Sequence, residues 1–174
     1  MLRAALLLFL SSGILMAQSI RPWEAYMPGD KGIEKLVLTE EEWRERLTEP
    51  EYHVLREKGT ERAFSGEYAD LKDGGVYCCR ACGLALFSSE AKYDSGTGWP
   101  SYWEPISADH VQLVADWKLF YKRTEVRCAR CDSHIGHVFN DGPEPTGQRW
   151  CMNSIALHFV PEAEWEALEQ GEKE

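Results

Sequence analysis

The chain is short of positive charge. Its 174 residues carry 19 Lys and Arg against 29 Asp and Glu, a formal net charge of −10. Phosphate backbones are gripped by concentrated Lys and Arg, so this balance excludes DNA or RNA as a partner. Long apolar runs are scarce as well. The unbroken stretch from Ala4 to Leu10 is too short to span a bilayer and is followed by Ser11, Ser12 and Gly13. With Arg3 before it and Ala17-Gln18-Ser19 after it, it has the layout of a secretory signal over residues 1–19. An uncleaved anchor is the alternative. No cysteine follows the run, so a lipid-modified N-terminus is not expected. Signal removal takes Arg3 away and leaves the mature chain one unit more negative. The expectation is an exported protein, periplasmic or secreted, with no stable membrane insertion after cleavage. There is no low-complexity tract and no repeat beyond two cysteine pairs, and the length suits one domain with a real core.

Aromatics and cysteines, by contrast, are plentiful. Seven Trp and seven Tyr are many for this length, and such rings either fill a core or line a pocket for a small apolar group. Six cysteines in an exported protein would ordinarily suggest disulfides. Their spacing points elsewhere. Cys79 and Cys82 form one C-x-x-C pair and Cys128 and Cys131 a second, and two such turns can complete the tetrahedral shell of a single Zn²⁺. A closed four-thiolate site leaves no open position for substrate, so its role is structural. It would fasten two parts of the chain that lie 45 residues apart. Two alternatives stand beside this reading: the pairs are disulfides or redox dithiols, or Cys128, Cys131, His134 and His137 form one local metal site. Cys78, adjacent to Cys79, blurs the register, but Cys79 keeps the two-residue spacing.

Local pattern describes a mainly β domain with helical additions at both ends. Residues 20–35 read as a linker, broken by Pro22, Pro28, Gly29 and Gly32. Thr39 with Glu42 and Thr48 with Glu51 are capping boxes for two short helices, whose apolar face takes Leu47, Tyr52, Val54 and Leu55. Short strands follow from Gly66 onward. Val111–Trp117 and Leu119–Val126 read as a hairpin turning near Asp116 to Lys118, and Ile155–Val160 as a last strand stopped by Pro161. Glu162 to Gln170 suits a final exposed helix.

Cys151 lies outside both pairs, in Gly147-Gln-Arg-Trp-Cys-Met-Asn-Ser154. A lone cysteine is ordinarily a small buried hydrophobe. Here Arg149 precedes it by two residues and Asn153 follows it by two, so along an extended chain all three share a face. A cation favours thiolate over thiol, and an amide can donate to a reacting oxygen.

The order of further motifs sharpens this. Gly98-Trp99-Pro100-Ser101, then His134-Ile-Gly-His137-Val-Phe139, then Asp141-Gly142-Pro143 with Pro145-Thr146-Gly147, then Arg149-Trp-Cys-Met-Asn-Ser154 follow one another. With the two cysteine pairs, and Thr60-Glu61-Arg62-Ala63-Phe64-Ser65-Gly66 upstream, this series resembles the methionine-R-sulfoxide reductase family over roughly residues 36–162, leaving residues 163–174 as a tail. The resemblance implies an antiparallel domain of two β-sheets, one structural Zn²⁺, and reduction of methionine-R-sulfoxide in proteins or peptides. It implies Cys151 as nucleophile, with His134, His137 and Asn153 orienting and polarising the sulfoxide, His137 nearest its oxygen. Arg149 would hold Cys151 ionised, Trp99 would wall the methyl pocket, and Phe139 would either line it or belong to the core. Structural hydrogen bonding is the alternative role for both histidines. Asp141 is either a support for a histidine or a turn residue. Preference for the R epimer comes from the resemblance alone.

The chain departs from the family at Ser95-Gly96-Thr97-Gly98-Trp99, where many relatives carry a cysteine that resolves the oxidised nucleophile. Thr97 cannot do so, and with four sulfurs on zinc only Cys78 is left as an internal partner. The expected reductant is therefore a thioredoxin-like or other external thiol. A zinc-stabilised peptide-binding module and a general thiol–disulfide oxidoreductase are the competing functions.

Overall fold

Both capping boxes form, and each starts a helix where expected. In the first, the Thr39 amide donates to Glu42 Oε2 at 2.7 Å while the Glu42 amide donates to Thr39 Oγ1, opening α1 (Glu40–Arg46). In the second, the Thr48 amide reaches Glu51 Oε2 at 2.8 Å and α2 (Glu49–Leu55) follows, with Pro50 tolerated in the first turn. The two helices bury Leu47, Tyr52, Val54 and Leu55 together with Trp43, which the expected apolar face did not include. The computed structural model describes residue 26 and residues 32–118 and 121–170; the expected signal over 1–19 lies outside these. No helix among the described residues is long and apolar enough to cross a membrane.

Among the described residues, nine strands make two antiparallel sheets. The smaller has the order β2-β1-β9, from β1 (Gly75–Cys79), β2 (Ala85–Ser88) and β9 (Leu157–Pro161). The larger has the order β3-β4-β8-β7-β6-β5, from β3 (Lys92–Tyr93), β4 (Ser101–Tyr102), β5 (Val111–Lys118), β6 (Tyr121–Cys128), β7 (His134–Phe139) and β8 (Arg149–Met152). The expected mainly β, two-sheet architecture is what forms. Rings from both sheets meet in the core: Tyr77 of β1 lies edge-on to Tyr102 of β4 at 5.3 Å, and Phe87 of β2 stacks on Tyr102 at 4.4 Å.

Two boundaries differ from the sequence reading. The β5–β6 hairpin pairs through Lys118 and Tyr121, so its turn lies beyond Asp116 to Lys118. Asp116 is instead a strand residue paired with Arg123. The last strand begins only at Leu157, because a 3₁₀ turn over Ser154–Ala156 intervenes after β8. Helix α3 (Glu162–Glu169) then seats Trp165 and Leu168 against a small cluster of Val76, Cys78, Ala85 and Val160.

The register that matters most joins β7 to β8. Gly136 lies opposite Met152 and His137 opposite Cys151. A Cβ at Gly136 would stand 2.2 Å from the Cys151 carbonyl oxygen and 2.9 Å from Met152 Cα, contacts that rigid strand backbone cannot relieve. Gly136→Ala is therefore expected to lower stability by about 1–3 kcal/mol or more. Urea unfolding of the variant beside the wild type measures this, and an unchanged midpoint would contradict the close approach.

Candidate active site

The two C-x-x-C segments form near-identical knuckles. In the first, the Cys79 amide donates to Leu84 O and the Gly83 amide to Cys79 O, with Gly83 at φ +80°. In the second, the Cys128 amide donates to Ser133 O and the Asp132 amide to Cys128 O, with Asp132 at φ +57°. Each turn thus needs a left-handed residue four places after its first cysteine, which glycine and aspartate tolerate.

The knuckles face each other. The Sγ atoms of Cys79, Cys82, Cys128 and Cys131 all lie within 4.8 Å of one another and are buried. Cys79 Sγ is 3.7 Å from Cys131 Sγ, and Cys82 Sγ is 3.5 Å from Cys128 Sγ. A disulfide would need about 2.05 Å, whereas four sulfurs about 2.3 Å from one central ion stand about 3.8 Å apart. The four fit a tetrahedral metal and form no disulfide among themselves. His134 and His137 take no part in this group, so the local Cys–His alternative is set aside. Tyr26, from the segment read as a linker, braces the knuckles: its amide donates to Gly83 O, and the Arg130 guanidinium lies 3.5 Å above its ring.

Cys151 stands elsewhere, on β8, at a cleft of about 140 Å³ lined by Trp99, His137, Phe139, Cys151 and Asn153, with Thr60, Arg123, Gly136 and Met152. Five of the residues singled out for the reaction are thus brought together. Two are not on the lining. His134 is 3% exposed and lies behind His137, their rings edge-on at 5.3 Å. Arg149 makes a two-pronged ion pair with Asp141, Nε to Oδ1 and Nη2 to Oδ2 at 2.9 Å each, and covers the Phe139 ring at 4.4 Å. Asp141 therefore holds an arginine, and neither supports a histidine nor merely closes a turn.

The chemical groups around the cleft are themselves held. Thr97 Oγ1 lies 3.9 Å from Cys151 Sγ and 2.8 Å from Ser95 Oγ, which contacts Ser101 Oγ at 2.8 Å, so a string of hydroxyls runs up to the sulfur. His137 Nε2 meets Asp116 Oδ2 at 2.9 Å, and Asp116 also accepts from Arg123. His134 Nδ1 meets Glu125 Oε1 at 2.9 Å. Glu61 ties three pieces together: its carbonyl accepts from Trp99 Nε1, its amide donates to Asn153 Oδ1, and its carboxylate accepts from the Ser154 and Ile155 amides. Of these supports, Asp116, Arg123 and Glu125 sit within a strand pattern and carry no motif. Glu61 belongs to a segment that resembles the family but has no task assigned by its sequence.

Burial raises the Cys151 thiol above its ordinary range, and the Thr97 hydroxyl and the Arg149 guanidinium oppose that rise without cancelling it. Arg149 makes the thiolate less costly but does not make it the resting form. Burial likewise lowers both His134 and His137, against the pull of Glu125 and Asp116. At neutral pH the proton therefore sits on sulfur and the imidazoles are neutral. Cys78 is fully buried on β1, and burial pushes its thiol up to about 12.

A single approachable thiol beside paired histidines, on a sheet joined to its neighbour by a separate four-cysteine group that could hold a metal ion, fits a cysteine-dependent enzyme. The chain belongs to the methionine-R-sulfoxide reductase family: the model of the SelR domain matches residues 47–161. Over 128 residues it is 57% identical to the peptide methionine sulfoxide reductase MsrB of Methanosarcina mazei, covering 74% of this chain and 91% of that protein. Over 119 residues it is 58% identical to the protein of the same name from Pseudomonas aeruginosa, covering 68% and 90%. The mitochondrial methionine-R-sulfoxide reductase B3 of mouse is 44% identical over 165 residues, covering 92% of this chain and 65% of its own length.

Two measurements check the site. Alkylation of Cys151 by iodoacetamide as a function of pH should inflect above the ordinary thiol value. Thr97→Val and Arg149→Met should each move that inflection higher still, since each removes a group that favours the thiolate; an inflection near neutrality would refute the burial argument. Removing the metal with a strong chelator should lower the unfolding temperature, because binding free energy at such a site is folding free energy.

Proposed function

We infer that the chain is a peptide-methionine (R)-S-oxide reductase. The observation that carries this is the placement of Cys151 beside a cleft walled by Trp99 and Phe139, with His137 and Asn153 on its lining, in a chain of this family. A sulfoxide sulfur is electrophilic, but its oxygen leaves poorly until it is protonated or hydrogen-bonded. The reaction thus needs a sulfur nucleophile, a proton and a dry slot for the S-methyl group. Trp99, fixed through its Nε1 on Glu61, supplies a flat apolar wall for that methyl. His137, steadied by Asp116, faces the cleft as the group nearest the oxygen.

Cys151 attacks the sulfoxide sulfur, and the oxygen passes to the enzyme. The thiol becomes a sulfenic acid and the substrate a thioether; cysteine is oxidised by two electrons and methionine reduced by two. Asn153 keeps its shape through Glu61 and Ile135 O, and so serves the cleft as a fixed amide edge. A binding module without catalysis would have no use for a thiol placed across the strand pair from a carboxylate-backed histidine on the same cleft.

Thr97 stands against Cys151 and offers no second sulfur, and Cys78 is sealed on the other sheet. Two equivalents of an external thiol, small or thioredoxin-like, return the sulfenic acid to thiol and release water and a disulfide. The metal is zinc, held by Cys79, Cys82, Cys128 and Cys131 in the all-sulfur shell that zinc favours; it supplies no step of the reaction and fastens the two sheets. The reductase domain takes residues 36–162. Residues 1–19 direct export, supported by Arg3, the following apolar run and the small residues Ala17 and Ser19. The substrates are then oxidised methionines of exported proteins and peptides, and the cellular setting is defence against oxidants.

With dithiothreitol as reductant, the enzyme should consume the R epimer of a blocked methionine sulfoxide and leave the S epimer. Cys151→Ser should fall to background, whereas Cys78→Ser should keep its turnover with the metal still bound. Loss of turnover in the metal-loaded Cys78 variant would make that residue the resolving group. Elemental analysis should return about one zinc per chain.

A further inference from the structure

Glu125 is the most thoroughly enclosed carboxylate among the described residues. It lies in the middle of β6, 2% exposed, paired across the ladder with His137. Its Oε1 meets His134 Nδ1 at 2.9 Å, and its Oε2 accepts from Arg127 Nη2 at 2.7 Å and Lys58 Nζ at 3.2 Å. Burial works against its charge, but these three bonds outweigh it and hold the carboxyl down at about 2. A carboxylate only accepts hydrogen bonds, so the Nδ1 that faces it carries the hydrogen. The neutral His134 ring then has its lone pair on Nε2. That atom is sealed from solvent and has no partner among the described residues. Leaving such a group unmatched is costly, and a fold does not ordinarily accept it unless the atom has work to do.

We propose that Glu125 is a positioning residue for the reduction: by binding Nδ1 it fixes the tautomer of His134, leaving Nε2 as the buried base behind the cleft. The proposal rests on the reductase reading and adds the source and route of its proton. The sulfoxide oxygen must gain one proton as Cys151 loses one, so the reaction needs a carrier and no outside acid. His137, on the lining, is that carrier, and the His134 ring stands edge-on behind it at 5.3 Å. His137 takes the proton from the Cys151 thiol and yields it to the oxygen as the sulfur–sulfur contact forms. Its charge during the transfer is balanced by Asp116 on its own ring, with Glu125 on the ring behind. The transferred oxygen ends on Cys151 as S–OH, and every proton is accounted for. The resting distribution agrees, since burial raises the thiol and lowers both imidazoles. The charged and titratable groups that face the pair are Glu125, Lys58 and Arg127 around His134, and Asp116 and Arg123 around His137.

Two measurements decide it. Long-range ¹⁵N–¹H correlation spectra of the zinc-loaded wild type at neutral pH report which nitrogen of His134 carries hydrogen. The expected result is the Nδ1–H tautomer, and a neutral Nε2–H ring would overturn the proposal whatever the variants do. Glu125→Gln, assayed with dithiothreitol and blocked methionine-R-sulfoxide, should lose about a hundredfold in kcat, the low end of what positioned proton transfer contributes. Its KM should stay near the wild-type value, and the acid limb of its pH profile should move to lower pH. A folded, zinc-loaded variant with wild-type kcat and an unshifted profile would also overturn the proposal. Should the variant fail to fold, the wild-type spectrum alone decides which tautomer is present. Failure of the wild type to reduce either epimer would instead remove the reductase reading, which separates the two outcomes.

Discussion

The site depends on how closely β7 can approach β8. Gly136 has no side chain to hold the strands apart, and its neighbour His137 falls directly across from Cys151. Because strand side chains alternate, that single register decides which face the imidazole and the sulfur share. Slipping it by one residue would turn His137 away and bring Gly136 or Val138 opposite the thiol. The pairing is secured on either side: β4 lies against the far edge of β8, with Ser101 opposite Cys151, and β6 lies against β7, with Glu125 opposite His137. The reacting groups therefore sit on the interior of a six-stranded sheet, where rigid ladders on both sides limit their motion.

The metal centre acts on the same sheet from a distance. Cys79 ends β1 of the smaller sheet and Cys128 ends β6 of the larger, so the four-cysteine group brings the two sheets together at one point. β6 carries Glu125 three residues before Cys128, and β7 begins with His134 three residues after Cys131. The knuckle between those two strands thus fixes the end of the hairpin from which both histidines project. The four-cysteine group and the cleft share no residue, yet only a few residues of backbone separate them.

Much of this is legible in the residues. Spacing alone marks the four-sulfur group, and the capping boxes mark both N-terminal helices, because each depends on groups within four residues of one another. The cleft is legible mainly as a resemblance, since Trp99, His137 and Cys151 come from three separated segments. What stays hidden is support that acts across strands. Asp116 and Glu125 look like ordinary polar positions of a hairpin, and only the pairing of β6 with β7 reveals what they face. Asp141 conceals its partner for the same reason: its side chain meets Arg149 across a turn that contains several prolines and glycines. The 3₁₀ turn before β9 is not visible in local pattern because Ser154 and Ile155 owe their conformation to the carboxylate of Glu61, more than ninety residues away.

The reluctance of Cys151 to ionise has a consequence for survival of the catalyst. Peroxide attacks thiolates and largely spares thiols, so a sulfur that keeps its proton at rest is a poor target for the agents that damage methionine. On the reductase reading it would become a nucleophile only when a substrate fills the slot and its oxygen receives the proton. The burial that slows its ionisation thus lets the protein persist among oxidants while remaining selective for the lesion they leave behind.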